Sequence, residues 1–265
     1  MSESHIFRTI ILVSVLIVAT IIIFLLMFQS KKFGNFLHNS LGVGHEKLKT
    51  VIEELRRKGF HLFGLFMPTT FYHTLKIGFV TQRKYSFIIG CILTFAWTVE
   101  LVRYKFPEIN KKIIGFMGKI MRENEKKGIA GASWYMLGSF ISVTFFPPLI
   151  GITALLFLIF GDLFAALIGK VYGKTKIYGP KSLEGSIGCF VVCFLLGIFT
   201  FWRLGDISFT KSFLLAFFGA IGGTLAELFA FVNDNFFIPA ASSVILWLIS
   251  LILNIKFRPI YNTQN

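Results

Sequence analysis

Charge is what this chain has least of. Only 15% of its 265 residues are Asp, Glu, Lys or Arg, too few to cover the surface of a water-soluble domain of that length. Acids are the scarcer sign, 13 against 27 Lys and Arg. The three cysteines, Cys91, Cys189 and Cys193, all sit in apolar stretches. Cys189 and Cys193 share a helix face, and with no ligand partner nearby they read as small packing residues. His5, His38, His45 and His73 have no metal-ligand spacing, which argues against zinc. No GxxxxGK[ST] pattern occurs, so a P-loop is excluded. No internal repeat or low-complexity tract stands out.

Apolar residues fill the space. They make up 55% of the chain, with 33 phenylalanines, and several runs reach the roughly 18–20 residues that a helix needs to cross the hydrocarbon core. The fold expected is an all-α polytopic membrane helix bundle of about eight transmembrane helices: 6–28, 60–80, 86–102, 130–147, 149–169, 185–202, 213–231 and 238–255. Pro147-Pro148 makes a tight turn between the fourth and fifth. The first run, Ile6–Phe28, is long for a signal-peptide core and lacks a small-x-small cleavage site, so it reads as a retained span. HEKLKTVIEELRRKG and KFPEINKKIIGFMGKIMRENEKKG, between the spans, mix bases and apolar residues as interfacial helices do.

The net charge of +14 does not point to nucleic acid, because the bases fall in short loops between spans. There they set orientation and meet lipid head groups. Loops on one side carry 19 Lys and Arg and those on the other side 8, which puts both termini away from the cytoplasm. This topology gathers Arg57, Lys58, His61, Asp162, Lys181, Glu184, Glu227 and Asp234 at the cytoplasmic third of the bundle.

Four stretches carry that polar set. In GDLFAALIGKVYGK, Asp162, Ala165, Ala166, Gly169 and Gly173 fall near one helical stripe. A small-residue packing face explains the alanines and glycines but not the acid, which in a membrane marks a pathway, a proton relay or a metal. Near the cytoplasmic end it could hold a hydrated Mg2+. In GKTKIYGPKSLEGSIG, glycines permit close backbone approach, and Lys174 and Lys181 offer point charges to phosphate oxygens. Ser182, Glu184, Gly185 and Ser186 open the next span, where free N–H groups would face the same anion; a solvated basic loop with a helix cap is the plainer reading. ELRRKGFHLFG sets Arg57 and His61 one turn apart. The bases alone are a topology signal, and the histidine adds a phosphate clamp or a proton acceptor. In AELFAFVNDNFFIPA, Glu227 ends span seven and Asn233-Asp234-Asn235 fill the turn before Pro239. Such a turn is ordinary, but it lacks bases and faces loops rich in them, so it could complete a Mg2+–phosphate site. Glu100 pairs with Arg103 in a structural role.

RKGFHLFG, GDLFAALIGKVYGK, KSLEGSIG and NDNFFIP, in this order over residues 54–240, resemble the family of dolichol kinases, phytol kinases and CTP-dependent diacylglycerol kinases. The resemblance implies a membrane kinase domain over 54–240, flanked by an N-terminal span and interfacial segment (1–53) and a last span and tail (241–265). It implies CTP and a divalent metal such as Mg2+ as phosphoryl donor and cofactor, with a lipid alcohol as acceptor. Arg57, Lys58 and His61 match its arginine-lysine-histidine motif, Asp162 and Gly169 its nucleotide motif, Lys181–Ser186 its lysine-serine-glutamate-glycine-serine motif, and Asp234-Asn235 its acid–amide motif. On that basis Asp162, His61 and Asp234 are the catalytic candidates. Arg57, Lys58, Gly169, Gly173, Lys174, Lys181, Ser182, Glu184, Gly185 and Ser186 are the nucleotide- and phosphate-binding candidates, and Asp162, Asp234, Asn235 and Glu227 the metal ligands.

The middle motifs are also similar to phosphatidate cytidylyltransferases, but Ser182 stands where those enzymes have a second lysine, and their C-terminal glycine-histidine-glycine-glycine signature is missing. The short chain favours diacylglycerol over dolichol as acceptor, with a polyprenol or phytol as the alternative. A transporter would also use intramembrane carboxylates, but nearer the midplane and between repeats.

Overall fold

A computed structural model of the chain describes residues 62–117 and 123–260, together with Val51 and Lys58. The first expected span, 6–28, lies outside the described residues, as do Arg57 and His61. The elements are α1 (Phe66–Lys76), α2 (Gln82–Lys105), α3 (Pro107–Met117), α4 (Glu123–Lys127), α5 (Gly131–Phe145), α6 (Pro148–Val171), a hairpin of β1 (Lys176–Tyr178) and β2 (Lys181–Ser182), α7 (Leu183–Leu204), α8 (Phe209–Leu228) and α9 (Asp234–Ile252). Five of these, α2 and α6 to α9, are long and apolar enough to cross a membrane. At 11 and 15 residues, α1 and α5 are shorter, about 16 and 22 Å at 1.5 Å per residue.

Chain-local chemistry sets the ends. Thr81 caps α2 by accepting from the Lys84 N–H, and Pro148 opens α6 at its first position, where no N–H is needed. The Pro147-Pro148 turn between α5 and α6 is therefore as expected. The last two spans differ from the sequence reading. Asn233 is the N-cap of α9, so Asp234 and Asn235 lie inside the helix rather than in the turn, and Pro239 is within the helix. Pro239 has no N–H to give the Asn235 carbonyl one turn back. That carbonyl instead faces α5 at Gly138, where an added Cβ would stand 2.8 Å from it.

α6 is the central helix. Its apolar window is 78% buried, against 22% for α2. One core joins Leu149, Phe157, Cys189, Cys193, Leu215 and Leu246 around it; a second joins Phe71, Tyr85, Val143 and Leu155 where α1, α2 and α5 meet it. Phe87, Phe95, Leu101, Leu195 and Phe199 point outward, where lipid rather than water would receive them. Antiparallel packing is close where residues are small: a Cβ at Gly197 would stand 2.9 Å from that of Ala216, and one at Gly185 2.6 Å from the Ala165 carbonyl oxygen.

The glycine-rich basic loop before α7 contains a β-hairpin. Gly179 turns it with φ +53°, a conformation that glycine adopts without Cβ strain. The stretch between α2 and α5 forms two short helices, as its pattern suggested, and is stapled to the bundle by buried Arg103. Its guanidinium donates to Glu100 at 2.8 Å, Asn110 at 3.1 Å and the Glu125 carbonyl at 3.0 Å. The Glu100–Arg103 pair is thus structural.

Candidate active site

The helix ends at Lys105, Gly131, Val171, Leu183, Leu228 and Asp234 lie at one end of the bundle, and the polar residues gather there. Asp162 is the deepest, nine residues inside α6, about 14 Å along the axis. The turn preceding it, Phe157–Gly161, is π-helical, a wider winding that rotates the following residues relative to a regular helix. Gly161 rests on the α7 thiols: a Cβ there would lie 2.7 Å from Cys193 Sγ and 3.2 Å from Cys189 Sγ. Asp162 is 3% exposed and ion-paired with Lys58, itself 2% exposed. Charges buried in this way persist only when paired and hydrogen-bonded.

Closer to the mouth stands Lys181. The hairpin holds it over the α8–α9 turn, with Leu183 N–H donating to the Thr175 carbonyl at 2.9 Å and the Tyr178 ring edge-on to Phe229. Its Nζ lies 3.1 Å from Glu227 Oε1 and 3.7 Å from Asp234 Oδ1, and donates to the Glu227 carbonyl. Glu227 is buried, whereas the Lys181 and Asp234 side chains are about a quarter exposed. Among the described residues, two carboxylates, Glu227 and Asp234, share Lys181, and a third, Asp162, is paired with Lys58 deeper in the bundle.

Asn235 closes the set. Its amide donates to the Gly131 carbonyl at 2.9 Å and its backbone N–H to Asn233 Oδ1 at 3.0 Å, while its own Oδ1 is buried without a partner. Ser186 Oγ is also buried and unpartnered. Ser182 caps α7 by accepting from Gly185 N–H at 3.2 Å, and the Glu184 carboxylate accepts from Thr175 N–H at 3.2 and 3.3 Å. These two hold the hairpin to the helix. Gly169, Gly173 and Gly185 crowd around Ser182, so that any Cβ would meet its hydroxyl or the neighbouring helix. In this structure they let α6 and α7 approach. Lys174 is exposed at the base of the hairpin.

Sequence reasoning missed Thr224, one turn before Glu227, whose hydroxyl is buried and unpartnered. The contrast with its peers is informative: Thr74, Thr94, Thr98, Thr153 and Thr200 all donate to the carbonyl four residues back. Only the three-dimensional arrangement distinguishes Thr224 from them. Among the described residues, no three His, Cys, Asp or Glu side chains form a metal-holding group by themselves. The donors present are nevertheless hard oxygens, with the Glu227 and Asp234 carboxylates sharing one lysine and an orphaned amide oxygen at Asn235. That chemistry fits Mg2+, which keeps several waters and shares its remaining positions with phosphate.

No protein-family model and no solved structure matches the chain. Among curated proteins it is 31% identical over 212 residues to the CTP-dependent diacylglycerol kinase 1 of Schizosaccharomyces pombe, covering 74% of this chain and 93% of that one. The protein of that name from Saccharomyces cerevisiae is 28% identical over 235 residues, 74% of this chain and 79% of its own. An uncharacterized protein of Rickettsia prowazekii is 30% identical over 192 residues, 70% of this chain and 89% of its own. The chain belongs to the CTP-dependent diacylglycerol kinase family.

Proposed function

We propose that this chain is a membrane-embedded kinase that moves the γ-phosphoryl group of CTP onto the hydroxyl of diacylglycerol, giving phosphatidic acid and CDP. The observation that carries the reading is the assembly of Lys58–Asp162 and Lys181–Glu227–Asp234 at one end of the bundle, in a chain of this family. The excess of bases in the loops at that end supports a cytoplasmic site, where nucleotide is available.

Phosphoryl transfer asks the protein for alignment and charge neutralisation more than for covalent chemistry. Lys181, at the mouth, is the residue best positioned to exchange its carboxylate contacts for phosphate oxygens of the incoming nucleotide. Asp234, Glu227 and the Asn235 oxygen would then be free to hold Mg2+, which when bound neutralises charge on the phosphates. Asp162 lies deepest, farther from the mouth than Lys181. We assign it to the acceptor: its carboxylate takes the proton of the lipid hydroxyl as that oxygen bonds to the γ-phosphorus and the bond to CDP breaks. The ion pair with Lys58 holds the Asp162 carboxylate in place for this step. His61, one turn beyond Lys58 in sequence, remains the other candidate base, and Arg57 a phosphate contact.

Labelled nucleotide tests the reading. Purified protein with Mg2+, diacylglycerol and γ-labelled CTP should carry the label into phosphatidic acid. Lipid labelled from the α-position of CTP instead would mean cytidylyl transfer and would overturn the proposal. Label entering a polyprenol or phytol but not diacylglycerol would keep the kinase and change the acceptor.

A further inference from the structure

At the far end of the bundle from the carboxylates, α2 and α5 line an open crevice of about 980 Å³, near the top of the roughly 300–1,000 Å³ range of small-molecule sites. It runs from Gln82 and Arg83 to Thr94, twelve residues or about 18 Å of helix, close to the ~15 Å depth of one leaflet's hydrocarbon. Phe87, Leu93 and Phe140 line it. Gly90 keeps it open: a Cβ there would already stand 3.2 Å from the Phe140 ring. Its wall at that end is fixed by Gln82, whose amide donates to the Val143 and Phe146 carbonyls at 2.9 Å each.

Three features of the mouth specify the occupant. The first turn of α2 contains no acid, yet Arg83 and Lys84 are exposed there and make no ion pair among the described residues. Cations at a helix N-terminus oppose its dipole, and the combination favours an anion. The crevice wall includes Thr144, whose buried hydroxyl has no partner and so retains a donor for an acceptor such as an ester carbonyl. Below that level everything is apolar except Thr94, Ser86 and the Cys91 thiol.

We propose that this crevice is a binding site for one anionic glycerophospholipid of the leaflet opposite the catalytic end. Its phosphate sits on Arg83, Lys84 and the α2 N-terminus, its ester region against Thr144, and one acyl chain lies along Gly90. Diacylglycerol lacks the charge that the mouth selects. The proposal does not depend on the kinase reading, since its readout is binding.

The test is native mass spectrometry of the full chain in neutral detergent, with equal doses of phosphatidylglycerol and phosphatidylcholine of matched acyl chains. The wild-type protein should retain phosphatidylglycerol preferentially, and R83Q/K84Q should reduce that retention about thirtyfold, as expected for two basic residues at a lipid surface, without changing phosphatidylcholine. Gly90→Leu should reduce both. Phosphatidylglycerol should also slow reaction of Cys91, the one exposed cysteine, with an apolar maleimide in the wild type but not in R83Q/K84Q. Equal retention of the two lipids by the wild type, or unchanged retention and Cys91 protection in R83Q/K84Q, would overturn the site. The double variant removes no buried group, so it reports even if Gly90→Leu fails to fold.

Discussion

Lys58 and Asp162, 104 residues apart in sequence, form an ion pair with both side chains almost wholly excluded from solvent. Each would be costly alone in the bundle, and breaking such a pair by removing one partner leaves an uncompensated buried charge. The pair therefore ties the segment before α1 to the middle of the central helix, and does so where the proposed chemistry requires an ionised carboxylate.

Asp162→Asn should abolish phosphoryl transfer and also lower thermal stability, by about 3–5 kcal/mol if Lys58 stays charged and unpaired. Lys58→Met combined with Asp162→Asn should recover most of that stability and none of the activity. Thermal unfolding in detergent and a CTP-dependent transfer assay separate the two effects. Substantial turnover in either variant would remove Asp162 from the mechanism.

Lys181→Ala should weaken nucleotide use more than lipid use. A rise of about tenfold or more in KM for CTP, with a smaller change in KM for diacylglycerol, is expected from loss of one charge-assisted phosphate contact. Equal changes in both KM values would mean that Lys181 serves only to hold the hairpin on the α8–α9 turn.

Thr224→Val keeps shape while removing a hydroxyl that has no protein partner. Deleting an orphaned buried polar group should be neutral or stabilising, by about 1 kcal/mol. If the hydroxyl meets substrate, transfer falls several-fold in the same variant. Lower stability with normal transfer would show instead that Thr224 has an internal partner.

The hairpin between α6 and α7 should face the cytoplasm. With Cys91, Cys189 and Cys193 replaced, a cysteine introduced at Thr175, which is exposed, should react with an impermeant reagent only from that side. Reaction from the opposite side would invert the topology and with it the access of CTP to the site.

Several elements were readable from local chemistry. The apolar runs gave α2 and α6 to α9 within a few residues, because the length and hydropathy of a membrane helix are properties of consecutive residues. Pro147-Pro148 marked its turn through the missing N–H, and Glu100–Arg103 paired within one helical turn as spacing required. The hairpin went unrecognised: β1 and β2 are three and two residues long, too short for any alternation to register. The sequence places Pro239 second in the span 238–255, whereas α9 begins at Asp234 and Pro239 lies more than one turn inside it; the cost of its missing N–H is met by a close approach to α5 that only packing reveals.

By itself, then, the sequence determined that this is a helical membrane protein with acids and bases at one end of its spans, and the order of its motifs indicated the family. Tertiary structure alone decided which charge meets which: Lys58 with Asp162, Lys181 with Glu227 and Asp234. The reason is rotational. Hydropathy records how deep a residue lies along a helix, but which way it points depends on the helix's winding, here altered by the π-helical turn at Phe157–Gly161, and on the small-residue contacts that set one helix against the next.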